Sequence, residues 1–294
     1  MADISKQRSP GLSAGLLKPK RWPRTGLVVL DKLFYVVAIA AVIWFIYYLF
    51  SFQKQLLLYT PFFFQYAGAT LIIALISMVF ATIFGFIGAL GRRSRFFVFR
   101  WLATIYVEVI RGTPALVQLL IWYYGIGLVF SNLGFDPHNA AFNFMTVFQS
   151  NSLVPDAFNA YFYGILGLSF NYGAYLTEVF RTGIENIDKG QAEAALSLGL
   201  NGGQVMRRII LPQAIRITIP PFTNYFITLI QDSSLLSIIS VFELEHITII
   251  LAEPQTNANV KMFVFVFGAL FYLVLCFPLG RLARYLEFRM AVAY

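Results

Sequence analysis

The chain has 294 residues, of which 59% are hydrophobic and only 12% charged, with 31 Phe, 16 Tyr and 4 Trp. A soluble domain carries roughly 25% charged residues, so this composition excludes a soluble globular enzyme and a disordered chain and leaves a polytopic membrane protein. The net charge of +8 comes from basic residues scattered between apolar blocks, which argues for topology rather than a nucleic-acid partner. The single Cys276 excludes a disulfide or cysteine-based zinc framework.

A helical span needs about 20 apolar residues. After a basic leader, residues 1–32, the first charge-free block is Leu33 to Phe52. It reads as a transmembrane helix and not a signal peptide, being longer than a usual apolar signal core and lacking a small-residue cleavage pattern. Tyr66 to Leu90 is the second span, and its Gly68, Gly85 and Gly88 predict close helix approach. Phe96 to Arg111 carries Arg100, Glu108 and Arg111 before Gly112-Thr113-Pro114 breaks the helix, which predicts an elbow helix on the membrane surface. The remaining spans are Pro114 to Phe130, Phe158 to Phe180, Ile217 to Val241 with Pro220 and Pro221 near its start, and Met262 to Gly280.

Orientation follows from Lys and Arg. The leader, the loop after span two, the loop after span four and the tail together hold nineteen, the opposite side only Lys54 and Lys261, with Arg111 unassigned. This positive-inside asymmetry puts both termini in the cytoplasm and requires an even number of crossings, which six satisfies. The expected fold is therefore all-α with six transmembrane helices, divided into the leader 1–32, an added N-terminal span 33–60, and a membrane domain 61–290 holding a cytoplasmic loop 182–215. No phosphate-binding loop or His-Glu-x-x-His motif is present, and His138 and His246 lack metal-ligand spacing. Neither catalytic residues nor a metal site are expected, and any energy source lies outside the chain.

The most informative stretch runs from Asp188 to Pro212. Asp188 can cap a helix with Gln191 three residues on, the following residues are strong helix formers, and Gly199 stops it. Ala192, Ala195 and Gly199 form a small face that permits close approach of another surface, with Leu196 and Leu198 as apolar anchors; Pro212 is read as ending the next helical segment. Taken alone, this is an amphipathic loop helix resting on the bilayer. The spacing of Glu193-Ala194-Ala195, Gly199 and Ile209-x-Leu211-Pro212, however, resembles the cytoplasmic-loop signature of permease subunits in ATP-binding-cassette importers. Arg111-Gly-Thr-Pro-Ala-Leu-Val-Gln118, Tyr172 to Arg181, Lys189-Gly-Gln191, Leu211 to Arg216 and Gln231-Asp-Ser-Ser-Leu-Leu-Ser237 are similar to the polar-amino-acid permeases of the histidine/glutamine type. The resemblance covers about Gln65 to Arg284. Leu33 to Phe52 is extra to that family's core of five helices, and the external segment Asn132 to Pro155 is longer than usual.

The resemblance implies a type I importer in the bacterial cytoplasmic membrane. Two permease chains, identical or homologous, would pair above two ATPase subunits, with an extracytoplasmic binding protein delivering the solute. ATP and Mg would be used by the ATPase partner, with no cofactor bound by this chain. Carried over by position, the Gln191 to Gly199 segment is the coupling helix, with Gln191, Glu193, Ala194, Ala195, Gly199, Ile209, Leu211 and Pro212 as coupling residues.

Intramembrane charge is costly and is usually paired or turned to a polar cavity. Asp232 falls near the middle of span five, with Asn224 eight positions earlier, and the double proline there suggests freed backbone carbonyls of the kind found in transport sites. Asp232 and Asn224 are thus pathway candidates, with internal pairing of Asp232, to Arg111 or a neighbouring helix, as the equal alternative. Glu178 with Arg181, and Glu108 with Arg111, have ion-pair spacing on a helix. Glu243, Glu245 and Glu253 fall in an expected external loop, as exposed acids that are either merely solvated, the commoner case, or available to a binding protein. A secondary transporter driven by an ion gradient is the rival; it predicts internal repeats and several buried acids, whereas the chain shows no repeat and one clear mid-span carboxylate.

Overall fold

The computed structural model describes residues 24–147 and 154–291; the leader before Arg24 and residues 148–153 of the external segment lie outside the described residues. Among the described residues all regular structure is helical. In chain order the elements are α1 (Arg24–Ser51), α2 (Gln53–Arg92), α3 (Phe97–Arg111) and α4 (Ala115–Leu120). A π-helical turn (Ile121–Ile126) leads to α5 (Gly127–Asn132), α6 (Pro137–Thr146), α7 (Phe158–Glu185), α8 (Lys189–Ser197) and α9 (Gly202–Val205). After a second π turn (Met206–Ile210) come α10 (Leu211–Asp232), a 3-10 segment (Ser233–Ile239), α11 (Leu244–Ala252) and α12 (Ala258–Ala291). Contacts divide the chain after Leu56, so α1 belongs to one unit and the helices from Leu57 onward to another.

Four helical stretches are long and apolar enough to cross a membrane: Lys32–Ser51, Gln53–Arg92, Ala115–Asn132 and Ala258–Met290. A fifth forms if Gly202–Ile239 and Leu244–Ala252, bent by 52°, make one broken span. The expected fourth span is the helix that falls outside this set. At 28 residues α7 is about 42 Å long, ample for a crossing, but Asn159, Ser169, Asn171, Thr177 and Glu178 dilute its apolar character. Half of α7 is buried by protein, and Leu168, Tyr172 and Leu176 join Leu229, Ile230 and Leu236 in the main core. A helix covered by other helices needs less lipid-like chemistry than one facing acyl chains.

Small residues set how closely α2 approaches α7. A Cβ on Gly85 would stand 2.6 Å from Leu176 Cβ, and one on Gly88 2.2 Å from Thr177 Oγ1, so only glycine fits at either place. Gly68 meets nothing within 4 Å, so the expected close approach there is absent from this chain.

The elbow forms where the sequence places it. Helix α3 ends at Arg111, Pro114 is extended, and a new helix starts at Ala115. The Gln118 side chain closes the break: its Nε2 donates to Ile110 O (2.7 Å), Thr113 O (3.0 Å) and Thr113 Oγ1 (2.8 Å), while Asn171 Nδ2 of α7 donates to Gln118 Oε1 (3.0 Å). One carbonyl orphaned at the end of α3, that of Ile110, and the Thr113 carbonyl in the break are thereby satisfied.

In the external segment, Asp136 caps α6 and Pro137 occupies its first turn. The Asn159 side chain donates to Asp136 Oδ1 (3.1 Å) and, with the amides of Asn139 and His138, holds this carboxyl below the usual aspartate range.

The expected fifth span, Ile217 to Val241, is discontinuous, but at Asp232 and not at its double proline. Regular helix stops at Asp232, the chain tightens into the 3-10 segment, and Ser240, at φ 62°, turns it into α11. Pro212 opens α10 instead of ending a helix: the π turn before it keeps the helical path continuous from Gly202 into α10, and a proline in a first turn gives up an amide that has little use there. Pro220 and Pro221 also lie inside α10. The bonds they omit are to the carbonyls of Arg216 and Ile217, about two turns before Asn224 and not between Asn224 and Asp232.

Candidate functional site

Two regions carry the expected chemistry, the α8 loop and the C-terminal half of α10. Asp188 caps α8 by accepting from the Gly190 amide (2.8 Å). Gln191 does not complete the reciprocal bond; that full capping box forms one helix later, between Asn201 and Gln204. At the other end the Leu200 amide bonds to Ala195 O (3.2 Å) and the Gly199 amide to Leu196 O (2.9 Å), a Schellman closure with Gly199 left-handed at φ +85°.

Gln191, Glu193, Ala194, Leu196, Leu198 and Gly199 are exposed, Leu198 to 81%. Ala195 is buried against its own chain, so it seats α8 on the body of the protein and is not part of a small outward face. Ile209 is half-buried, while Leu211 and Pro212 are exposed at the start of α10. Gln191 has a task that spacing did not reveal: Gln213 Nε2 donates to Gln191 Oε1 (2.6 Å) and to Ile209 O (3.1 Å). This ties α8 directly to the first turn of α10.

Asp232 is the last residue of α10, about 30 Å from Gln213 along the helix axis. Its partner is Tyr172 of α7, whose hydroxyl donates to Asp232 Oδ2 (2.7 Å). The alternative pairing with Arg111 is not made. The Arg111 guanidinium lies over the Tyr175 ring at 5.4 Å, Tyr175 faces Tyr225 at 5.4 Å, and Tyr225 lies 6.5 Å from Tyr172. A row of tyrosines thus separates the cation from the carboxylate, and Arg111 makes no ion pair with Glu108 among the described residues. Asn224 is exposed, as are Thr228 and Gln231 four and seven positions on, giving α10 a polar stripe on one side. Tyr172 and Gln213 carry no spacing that sets them apart within their motifs, and Tyr225 lies in none.

Glu178 and Arg181 do pair, Oε2 with Nη2 at 2.8 Å, and the pair is widened by Arg92 of α2 on Glu178 and by Glu185 on Arg181. Glu243 departs most from expectation. It is fully buried, caps α11 by accepting from the His246 amide (2.7 Å), and accepts from Tyr272 Oη of α12 (2.8 Å). Capping a helix inside the bundle needs a buried acceptor, which an exposed docking acid is not. Glu245 is half-buried and Glu253 exposed. Glu243→Ala removes the cap and strands the Tyr272 hydroxyl, so it is expected to lower stability by about 2 kcal/mol. Glu253→Ala is expected to change stability by less than about 0.5 kcal/mol, both read from thermal unfolding in detergent. No group of three or more His, Cys, Asp or Glu among the described residues is placed to hold a metal ion.

Residues 81–292 match the family model described as binding-protein-dependent transport system inner membrane component. The chain is 35% identical over 216 residues to the probable amino-acid ABC transporter permease protein YckA of Bacillus subtilis, covering 74% of this chain and 83% of that one. It is 34% identical over 226 residues to the probable glutamine ABC transporter permease protein GlnM of the same organism, covering 76% and 91%. Among solved structures, an amino acid ABC transporter crystallised with histidines is similar at TM-score 0.66 and 29% identity, over 80% of this chain and 97% of that one. The inward-facing MetNI methionine ABC transporter shares the fold, at TM-score 0.52 and 17% identity over 79% and 98%.

Proposed function

Because the chain belongs to the family of binding-protein-dependent transport system inner membrane components, the permeases of ATP-binding-cassette importers, we propose that it forms the pathway for polar amino acids across a bacterial inner membrane. Separate ATPase subunits, using ATP and Mg, drive it through α8, a second permease chain completes the pathway, and an extracytoplasmic binding protein supplies the solute. In this reading α7 is the fourth of six crossings and both termini are cytoplasmic. Gln191, Glu193, Ala194, Gly199, Ile209, Leu211 and Pro212 form or support the ATPase seat, with Ala195 holding it to the body. The observation that carries the proposal is the bond between Gln191 and Gln213, because it joins an exposed, apolar-tipped helix to the helix that ends at Asp232. A push on α8 is then passed along α10 as along a rod, favouring alternating access.

The exposed Asn224, Thr228 and Gln231 support a polar pathway on that side of α10, since lipid disfavours such a stripe. The expected result on purification in mild detergent is retention of an ATPase subunit, and in proteoliposomes containing that complex, uptake of a polar amino acid that requires ATP. Uptake by the chain alone, driven by a proton gradient, would establish the secondary-transporter reading instead.

A further inference from the structure

Between the C-terminal end of α2, the whole of α3 and the middle of α7 lies an open cleft of about 490 Å³, within the roughly 300–1,000 Å³ range of ligand sites. Its walls are apolar, chiefly Phe84, Ile87, Leu90, Phe99, Leu102 and Phe170. The two polar side chains that reach it already have partners: Tyr106 Oη donates to Phe170 O (2.6 Å), and Ser94 Oγ accepts from the Phe96 amide (3.2 Å). Only the Ser94 hydroxyl proton, at one end of the cleft, is left without a partner by these bonds, and the remaining walls suit a hydrocarbon chain.

The chain next to its lining residues is cationic. Arg93 and Arg95 flank Ser94 in the α2–α3 connection, and Arg100 stands one turn before Ala103, another wall residue. All three are exposed, and among the described residues none has an ion-pair partner, whereas neighbouring Arg92 is engaged by Glu178. Helix α3 begins in the same connection, and no side chain caps its first amides, so the positive end of its dipole adds to the field. Phe96, Phe97, Val98 and Trp101 are also exposed around the rim, as expected of a helix lying among lipids.

We infer that this cleft binds an anionic diacyl phospholipid, one acyl chain lying between α2, α3 and α7 and the phosphate held by Arg93, Arg95 and Arg100. Charge complementarity selects the occupant: a zwitterionic lipid offers the same chains but cancels the headgroup charge that three unpaired arginines attract. A lipid held there would brace the elbow helix against α7, whose Tyr172 and Glu178 belong to the site described above. The inference needs only that the chain is a membrane protein, and so stands apart from the direction or energy source of transport.

The test uses the full chain, solubilised and washed in detergent, then offered phosphatidylglycerol or phosphatidylethanolamine with identical acyl chains. Retained lipid is counted by native mass spectrometry. Wild type is expected to keep one phosphatidylglycerol with a preference of about tenfold or more, and the Arg93→Gln/Arg95→Gln/Arg100→Gln variant to lose that preference at unchanged thermal stability. A phosphatidylglycerol carrying a photoreactive group on its acyl chain is expected to label the peptide containing Leu102 and Tyr106. Equal retention of the two lipids by wild type, unchanged preference in the triple variant, or labelling confined to other helices would each overturn the assignment. So would a disulfide between two copies bearing Phe99→Cys, which would show a second chain covering the cleft.

Discussion

Gly199→Asp is expected to leave the chain folded in the membrane and to uncouple it from ATP hydrolysis. Two features separate the causes. Gly199 is left-handed at φ +85°, a conformation that costs an L-residue roughly 1–2 kcal/mol and Asp less than most, small beside the roughly 5–15 kcal/mol of a typical fold. A Cβ there meets no atom of this chain within 4 Å, so nothing inside the protein rejects a side chain. What it would intrude upon is the surface that receives α8, beside exposed Leu196 and Leu198. Uptake is therefore expected to fall by at least about tenfold, equivalent to about 1.4 kcal/mol of lost coupling, with solute-stimulated ATPase activity lost and membrane content unchanged. Gly199→Ala should fall between, keeping the strain and adding little bulk. Wild-type uptake with normal stimulation in the Asp variant would remove the role of α8 as the ATPase contact.

The second large effect is expected at Asp232. Asn keeps an oxygen able to accept from Tyr172 but removes the charge, so Asp232→Asn should fold nearly as well as wild type while uptake drops about tenfold or solute preference changes. Tyr172→Phe tests the other half of the pair. It removes the donor and leaves a carboxylate with one bond fewer, which is expected to lower stability by about 1–3 kcal/mol. If Asp232 served packing alone, both variants would reduce the amount of assembled protein in step, and neither would alter solute preference. Unfolding midpoints in detergent, set beside competition uptake with several amino acids, separate the two outcomes.

The α8 loop was legible because its signals are local. A cap at Asp188, a run of helix formers and a glycine at 199 act within a few residues of one another, and the helix forms where they place it. The break after α3 was legible for the same reason, since a glycine and a proline two residues apart at Gly112-Thr113-Pro114 strongly disfavour a continuous helix. Direction along the chain was harder to read. Pro212 marks a helix boundary, but a proline serves a start as well as a stop, and the π turn at Met206–Ile210 that decides between them has no recognisable sequence signal.

Partners across the fold were not legible. Asp232 has Tyr172 and not Arg111, and Gln191 has Gln213, because the crossing of α7 and α10 and the seating of α8 decide which side chains meet. Glu243 shows the same limit: an acid in a connection ordinarily faces water, and only the fold of α11 against α12 buries it beside Tyr272.

By itself the sequence determined that this is a helical membrane protein, where its long apolar helices and the break after Arg111 lie, and which family its loop motif at 188–212 resembles. These follow from apolar run length, helix breakers and fixed spacing, all of which are properties of neighbouring residues. Only the tertiary structure decided that α7 is shielded by protein, that α10 gives way to a 3-10 segment after Asp232, and that a hydrogen bond links α8 to α10. Each of those depends on which surfaces face each other in three dimensions, and burial and pairing energies are set there, between residues tens of positions apart.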